Sequence, residues 1–141
     1  MAAINGEAIK ELIQQRDPMI MLDTFYRATE SDADTGFTVT NNNLFSSGGF
    51  LTEPGLIEHI AQSASAFAGY KAKIANEPTP LGFIGEVKKF RIYFLPRTGD
   101  VLRTHIRILS EALGVSLLAA ETKVNGEIVV DGQMKIFIQP S

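Results

Sequence analysis

Apolar residues change their spacing along the chain, and the change separates a helical segment from a series of strands. Between Leu56 and Lys73 they recur at helical intervals, which predicts a long amphipathic α-helix. The side opposite the apolar face is also poor in charge, because it consists of Gln62, Ser63, Ser65, Ala66 and Gly69. We therefore expect this helix to be buried on most sides, with a sheet packed closely against it.

Alternating apolar and polar residues dominate the sequence after Pro80 and predict a series of antiparallel strands. In the second of these strands, Leu102, Thr104 and Ile106 share one face. Asn125-Gly126, between the last two strands, is the strongest short signal for a hairpin. The predicted ranges are Val87 to Leu95, Val101 to Leu109, Val115 to Val124 and Glu127 to Ile138.

The chain before the long helix predicts shorter elements. A short amphipathic helix from Asn5 to Gln14 is followed by one strand from Met19 to Ala28 and another from Thr35 to Thr40. Asn41 to Thr52 is rich in Asn, Ser and Gly and predicts an irregular loop of a kind that often carries function. Together the elements predict one α+β domain over residues 1–141, in which a long central helix is wrapped by an antiparallel sheet.

Composition and charge exclude several kinds of site. The chain has no cysteine, so it has neither a disulfide nor a thiolate nucleophile, and its two histidines argue against a His-rich metal site. We expect no metal and no cofactor. The formal charge is −6 over residues 1–60, +5 over 61–107 and −2 over 108–141. A basic middle predicts a local anion-facing surface, whereas an isoelectric point near 5.4 argues against nucleic-acid binding.

The apolar stretches are shorter than a membrane span, which needs about 18 consecutive apolar residues. The first ten residues lack the pattern of a signal peptide, because Glu7 interrupts them and no apolar run follows. We therefore expect a cytoplasmic protein without a membrane span.

Several short segments, taken in order, match the motifs of one enzyme family. Gln15-Arg16-Asp17-Pro18 and Leu22-Asp23 resemble an entry strand with His-Arg-x-Pro and Val-Asp, and Glu58-His59-Ile60-Ala61-Gln62 resembles a helix with Glu-x-x-Ala-Gln. Phe90-Arg91, Pro96 and Gly99-Asp100 resemble a Phe-Arg…Pro-Gly-Asp stretch. Over roughly residues 9–137 the chain thus resembles the hotdog-fold 3-hydroxyacyl-(acyl carrier protein) dehydratases of fatty-acid synthesis.

This resemblance implies a hotdog fold and a homodimer whose two sheets join edge to edge, with acyl tunnels at the interface. It also implies a catalytic pair, formed by the histidine of a Gly-His-Phe loop and a helix glutamate from the other subunit. The matching positions are Gly48-Gly49-Phe50, without the histidine, and Glu58. Dehydration needs a base for the proton α to the thioester carbonyl and an acid for the leaving β-hydroxyl, so we predict Glu58 as an acid/base group.

His59 is the second predicted catalytic residue, because its imidazole could replace the missing one. The alternative is a histidine hydrogen-bonded in the interior or at a subunit interface, since neighbouring helix residues do not face each other. The amides near Gly55 and Leu56 are candidate donors to a thioester oxygen. For Gln62, tight helix–sheet packing is the alternative to a substrate contact. The predicted substrate-binding residues are Gly49, Phe50, Pro54, Gly55, Leu56 and Gln62.

Four basic side chains are predicted to face a phosphate-bearing partner. We expect them on the outer face of two paired strands that the turn Pro96–Asp100 joins, where like charges repel each other. An acidic carrier protein or a CoA tail would offset that repulsion, and a solvated surface is the alternative. The residues are Lys89, Arg91, Arg103 and Arg107.

Three functions remain open at this point. The first is a dehydratase-like enzyme that acts on 3-hydroxyacyl thioesters of acyl carrier protein, or of CoA, in fatty-acid or polyketide-type synthesis. The second is an acyl thioesterase of hotdog fold, in which a helix carboxylate assists hydrolysis without a histidine. The third is a non-catalytic acyl-binding protein. We expect a homodimer or higher homo-oligomer, or a heterodimer with an active hotdog dehydratase.

Overall fold

A long helix lies at the centre of the computed structural model, which describes residues 2–139, and an antiparallel sheet curves around it. The helix, α1, extends over Glu53–Ile74, and a 3-10 helix occupies Gly6–Glu11. The strands are β1 (Ile4–Asn5), β2 (Thr24–Ala28), β3 (Asp32–Thr38), β4 (Ser46–Ser47), β5 (Phe50–Leu51), β6 (Leu81–Ile92), β7 (Val101–Ala112), β8 (Val115–Val124) and β9 (Glu127–Gln139).

The helix α1 has the sequence signals of a helix at both ends. It begins after Thr52, which has extended backbone, and Pro54 lies in the first turn, where a missing N–H costs nothing. Lys71 and Lys73 lie in the last turn, where positive charge interacts favourably with the helix dipole. Twelve of its 22 residues are buried, so the prediction of a long helix buried on most sides is confirmed.

The main sheet has seven strands in the order β1-β2-β3-β7-β8-β9-β6, and all neighbouring strands are antiparallel. β7, β8 and β9 form the predicted meander. Within residues 2–139, β6 pairs only with β9 and forms one edge of the sheet. The expectation that the strands on either side of the turn Pro96–Asp100 pair with each other is therefore wrong, because β8 and β9 lie between β6 and β7.

The inner face of the sheet packs against α1 through both apolar and hydroxyl side chains. Leu102, Thr104 and Ile106 of β7 are fully buried, which confirms the predicted alternation in this strand. Thr35 Oγ1 of β3 lies 2.7 Å from Ser63 Oγ of α1. Because Ser63 itself donates to a carbonyl of its own helix, Thr35 is the donor in this pair.

The segment before β2 differs most from its prediction. Residues 19–23, predicted as the start of a strand, lie outside any strand, and backbone groups of Met19 and Met21 bond to side chains of α1 instead. The loop before α1 contains the β4–β5 hairpin. The other changes are a 3-10 helix in place of the predicted helix from Asn5 to Gln14, and a β3 that starts earlier than Thr35.

The N-terminal segment also approaches α1 too closely for a side chain at the contact. A Cβ atom on Gly69 would lie 1.9 Å from the carbonyl oxygen of Leu12 and 2.7 Å from its carbonyl carbon. Leu12 and Ile13 are buried in the core. Residues 12–13 therefore form one wall of the core, and glycine at position 69 permits this contact.

Candidate active site

Glu58 lies in the second turn of α1 and is half-buried. Its Oε2 accepts a hydrogen bond from Nε2 of Gln62 at 2.7 Å. Residues four apart share one face of a helix, so the amide of Gln62 orients the carboxylate from the next turn. Among residues 2–139, no group donates a hydrogen bond to Oε1 of Glu58, so one carboxylate oxygen is not engaged within the chain.

Gln62 is fully buried, and its side chain forms its hydrogen bonds within the chain. Its Nε2 donates to the carbonyl of Met19 at 2.7 Å as well as to Glu58, and its Oε1 accepts from the amide of Met21 at 2.6 Å. An amide without exposed surface and with both donors engaged cannot contact a substrate. The predicted substrate contact of Gln62 is therefore corrected: it positions Glu58 and anchors residues 19–21 to α1.

His59 is also fully buried, and both of its ring nitrogens are engaged. Nδ1 lies 2.7 Å from the carbonyl oxygen of Met21 and Nε2 lies 2.8 Å from Oγ1 of Thr104. A carbonyl only accepts, so Nδ1 carries the proton and Thr104 donates to Nε2. Thr122 then donates to Thr104, at 2.7 Å. The predicted catalytic role of His59 is corrected to the interior alternative, because the imidazole cannot reach a substrate.

Burial lowers the pKa of His59 to about 4, because the charged imidazolium would be cut off from water. In the unfolded chain, His59 binds a proton as the pH falls below its ordinary pKa of 6.5. In the folded chain it stays neutral until the pH reaches about 4. The unfolding free energy must then fall as the pH falls through this window. We expect a loss of about 2 kcal/mol between pH 7 and pH 5, measured by urea unfolding.

The contribution of His59 can be separated from that of the chain's other histidine. His59→Leu should remove most of this pH dependence, whereas His105→Gln should leave it in place. A wild-type unfolding free energy that stays constant from pH 7 to pH 5 would contradict the buried neutral imidazole.

The start of α1 combines a tight contact with an uncapped turn. A Cβ atom on Gly55 would lie 2.6 Å from the side chain of Leu51 and 2.7 Å from that of Phe45. The hydroxyl of Thr52, the N-cap residue, donates to the carbonyl of Phe45 at 2.7 Å and does not cap the helix. The amide of Leu56 donates to the carbonyl of Thr52 at 3.2 Å. Of the two predicted oxyanion donors, Leu56 is thus engaged, and the amide of Gly55 remains.

The loop that matches the family's histidine loop is a hairpin turn. Gly48 and Gly49, both with positive φ, connect β4 to β5, and the guanidinium of Arg97 lies 5.6 Å from the ring centroid of Phe50. The carbonyl of Gly49 accepts from the amide of Thr98 at 3.0 Å. Phe50 and Pro54 are exposed. The turn is thus anchored to the connection between β6 and β7, next to the start of α1.

A family model, ApeP-like (ApeP dehydratase), matches residues 7–141. The chain belongs to the ApeP-like dehydratase family. FabZ, the 3-hydroxyacyl-(acyl-carrier-protein) dehydratase of Clostridium perfringens, is 28% identical over 139 residues, which cover 96% of this chain and 99% of the relative. FabZ of Shewanella woodyi is 26% identical over 140 residues, which cover 93% of this chain and 91% of the relative. The resemblance to these dehydratases is therefore confirmed.

Solved structures show the fold of this ApeP-like chain. The dehydratase heterocomplex ApeI:P from Xenorhabdus doucetiae superimposes with a TM-score of 0.87 at 20% identity, over 94% of this chain and 91% of that one. A hypothetical thioesterase from Streptococcus pneumoniae, solved with coenzyme A, has a TM-score of 0.64 at 12% identity. The match covers 83% of this chain and 90% of that one. The predicted α+β hotdog fold is confirmed.

The four basic residues do not form one cluster in the ApeP-like chain. Lys89, Arg91 and Arg107 line a depression of about 360 Å³ on the outer face of the sheet, across β8 and β9, together with carboxylates. The guanidinium of Arg103 lies 3.7 Å from the ring centroid of Tyr26 instead. The predicted group of four is therefore corrected to a group of three.

Several polar residues of this site were not singled out from the sequence. Thr104 hydrogen-bonds to Nε2 of His59, and Thr122 hydrogen-bonds to Thr104. A threonine on the apolar face of β7 is the sequence signal for a buried polar partner. On the outer face, Arg27 joins Asp32 and Asp34, and His105 Nδ1 lies 2.8 Å from Asp34 Oδ1. The second imidazole is thereby held on the side of the sheet away from α1.

Over residues 2–139, the structure has no group of three or more His, Cys, Asp or Glu side chains placed to hold a metal ion. Over the same range, no helix is long and apolar enough to cross a membrane.

The Gln62→Leu variant tests the anchoring role of this amide. The substitution leaves the buried amide of Met21 without its partner, and an unpaired buried donor costs about 1–3 kcal/mol. We expect the unfolding free energy to fall by about 2 kcal/mol in urea unfolding. If Glu58 acts as an acid/base group that Gln62 orients, kcat should fall about tenfold in an activity assay while KM stays near its wild-type value. A rise in KM alone would instead indicate a substrate contact.

Proposed function

We propose that this chain is a subunit of a 3-hydroxyacyl-thioester dehydratase, with Glu58 as an acid/base group. The observation that carries the proposal is the half-buried carboxylate of Glu58, held at one oxygen by the fully buried Gln62, in a chain of a dehydratase family. A carboxylate with a fixed position and one available oxygen is suited to proton transfer, because the geometry is set before the substrate arrives.

The reaction breaks the C–H bond α to the thioester carbonyl and the C–O bond at the β carbon, and forms a C=C bond and water. One group takes the α proton, and a second group gives a proton to the departing hydroxyl. In our proposal Glu58 provides one of these functions. In this proposal the amide of Gly55 donates to the thioester carbonyl and polarises it. This role is supported by the N-cap residue Thr52, whose hydroxyl does not bond to the amides of the first turn of α1.

The second group comes from another subunit in this proposal. The imidazole of His59 is sealed in the core and that of His105 is bonded on the outer face, so neither is available beside Glu58. The edge strand β6 supports edge-to-edge assembly, because Phe83, Ile84 and Val87 are exposed along it. The resemblance to the ApeI:P heterocomplex supports a heteromeric assembly in particular.

The substrate in this proposal is carried by acyl carrier protein or by CoA. The depression lined by Lys89, Arg91 and Arg107 supports a contact with a phosphate or with an acidic carrier surface. This depression lies on the outer face of the sheet, so in this proposal its contact docks the carrier on the side away from α1.

A hybrid-site experiment tests the proposal. The chain is mixed with a histidine-bearing hotdog dehydratase subunit of the same cell whose own helix glutamate has been replaced by glutamine. Only a shared site, with the partner's histidine and Glu58, can then dehydrate a 3-hydroxyacyl thioester. We expect enoyl thioester, followed by ultraviolet absorbance and mass spectrometry, from the mixture and little from either protein alone.

Two controls decide between the open functions. Adding the Glu58→Gln variant in place of the wild type should leave the mixture inactive. Release of free carboxylic acid from an acyl thioester by the chain alone would overturn the dehydratase proposal in favour of the thioesterase. A mixture that forms a stable complex without any turnover would favour the non-catalytic partner.

A further inference from the structure

Two hairpins of this chain have the same turn geometry but different residues at the same position. Between β8 and β9, Asn125 and Gly126 have φ of 51° and 82°, and between β7 and β8, Leu113 and Gly114 have φ of 52° and 77°. Positive φ at both central residues is typical of the two-residue hairpin turn that prefers Asn-Gly. Asparagine tolerates this conformation, whereas a bulky leucine adopts it only at a cost.

The side chain of Leu113 gains nothing within the chain for this cost. It is completely exposed to solvent, more than any other large apolar side chain of residues 2–139. A residue that is unfavourable for its turn and unfavourable in water has no explanation in the fold of one chain.

Leu113 is one of the residues that line an open groove of about 610 Å³. The groove runs between the C-terminal half of α1 and the adjoining ends of β7, β8 and β9, and its walls are mostly apolar. Counted along α1 at about 1.5 Å per residue, the groove begins about 9 Å from Glu58 at Ala64 and extends to Ala72. The apolar residues that line it include Ala64, Phe67, Ala68, Ala72, Leu118 and Ile136.

We propose that a second copy of this chain docks here across a twofold axis, so that Leu113 of each copy inserts into the groove of the other. A projecting side chain and an apolar groove lie on the same surface, which is the arrangement that a twofold axis makes self-complementary. The lining of the groove also carries both charge signs, because it includes Lys71, Glu77 and Glu111. Opposite charges of two copies can therefore meet across the axis.

This interface involves the C-terminal half of α1 and does not depend on the proposed enzymatic function. The contact is small compared with stable interfaces, which bury about 800 Å² on each partner, so association should depend on concentration.

The Leu113→Asn variant tests the proposal by sedimentation velocity over a series of concentrations. At the highest concentration, the average mass of the wild type should be twice that of the variant. The turn of the variant then has the same residues as Asn125-Gly126. At low concentration, the variant protein should therefore have a thermal unfolding temperature no lower than that of the wild type. Equal masses at all concentrations would overturn the proposal.

A second variant closes the groove while keeping Leu113. Ala72→Phe places a large side chain in the groove on the side formed by α1. At the highest concentration, this variant should also have half the average mass of the wild type. Mixing the two variants should partly restore association, because one of the two reciprocal insertions is intact in the mixed pair. Leu109→Asn, which removes a different exposed leucine of β7, should keep the wild-type mass. Dissociation by this control with no effect of Leu113→Asn would place the contact on the outer face and overturn the proposal.

Discussion

Replacing Glu58 by glutamine should lower the turnover of 3-hydroxyacyl thioesters by at least about a hundredfold in the active assembly. Glutamine has the same size, and its side-chain oxygen can still accept the hydrogen bond from Gln62 that Oε2 accepts at 2.7 Å. The variant therefore loses the capacity to exchange a proton and keeps its position. Positioned acids and bases contribute about 10²–10⁴-fold to such reactions, which sets the expected size of the loss.

Glu53 provides a matched control on the same helix. It is an exposed carboxylate in the first turn of α1, so Glu53→Gln changes the formal charge equally. We expect Glu53→Gln to retain activity within about twofold, and both variants to unfold within about 0.5 kcal/mol of the wild type. An active Glu58→Gln variant would remove this residue from the chemistry and with it the proposed mechanism.

Gly69→Ala should destabilise the folded chain by at least about 3 kcal/mol, and failure to fold is within this expectation. The added methyl group would lie 1.9 Å from the carbonyl oxygen of Leu12 and 2.7 Å from its carbonyl carbon. These atoms belong to the backbone of a buried residue, so they cannot rotate away as the end of a flexible side chain would.

The sign of this effect separates tertiary packing from helix propensity. In an isolated helix, alanine is favoured over glycine by about 1 kcal/mol, so propensity alone predicts a more stable variant. Ala68→Gly, at the preceding position of α1, is the matched change in the opposite direction and should cost about 1 kcal/mol. Urea unfolding of both variants measures the two effects. A Gly69→Ala variant as stable as the wild type would contradict the close contact between Leu12 and α1.

The parts of the fold that follow from local periodicity could be predicted from the sequence. α1 and the meander of β7, β8 and β9 are set by apolar spacing and by the Asn125-Gly126 turn, which act within a few residues of each other. The position of β6 could not be predicted in this way. Its pairing with β9 places Leu81 opposite Gln139. The apolar and polar spacing within a short segment does not encode a contact between residues so far apart in the sequence.

Residues 19–23 show a second limit of sequence reasoning. Their composition favours a strand, but Gln62 and His59 bond to the backbone of Met19 and Met21, so tertiary contacts override the local preference. The same contacts explain the errors in the predicted site. Sequence indicated that polar side chains follow Glu58 on a buried helix, but whether they point toward a substrate or toward another segment depends on what packs against each face.

The position of β6 has a consequence for synthesis on the ribosome. Among the strands of residues 2–139, its only neighbour is β9, which comprises Glu127–Gln139. While residues 93–126 are being added, β6 has no strand with which to pair, and its exposed row of apolar side chains is open to wrong partners. The sheet can close only after β9 has been translated, so nascent chains that stop before β9 should be substrates for chaperones and proteases.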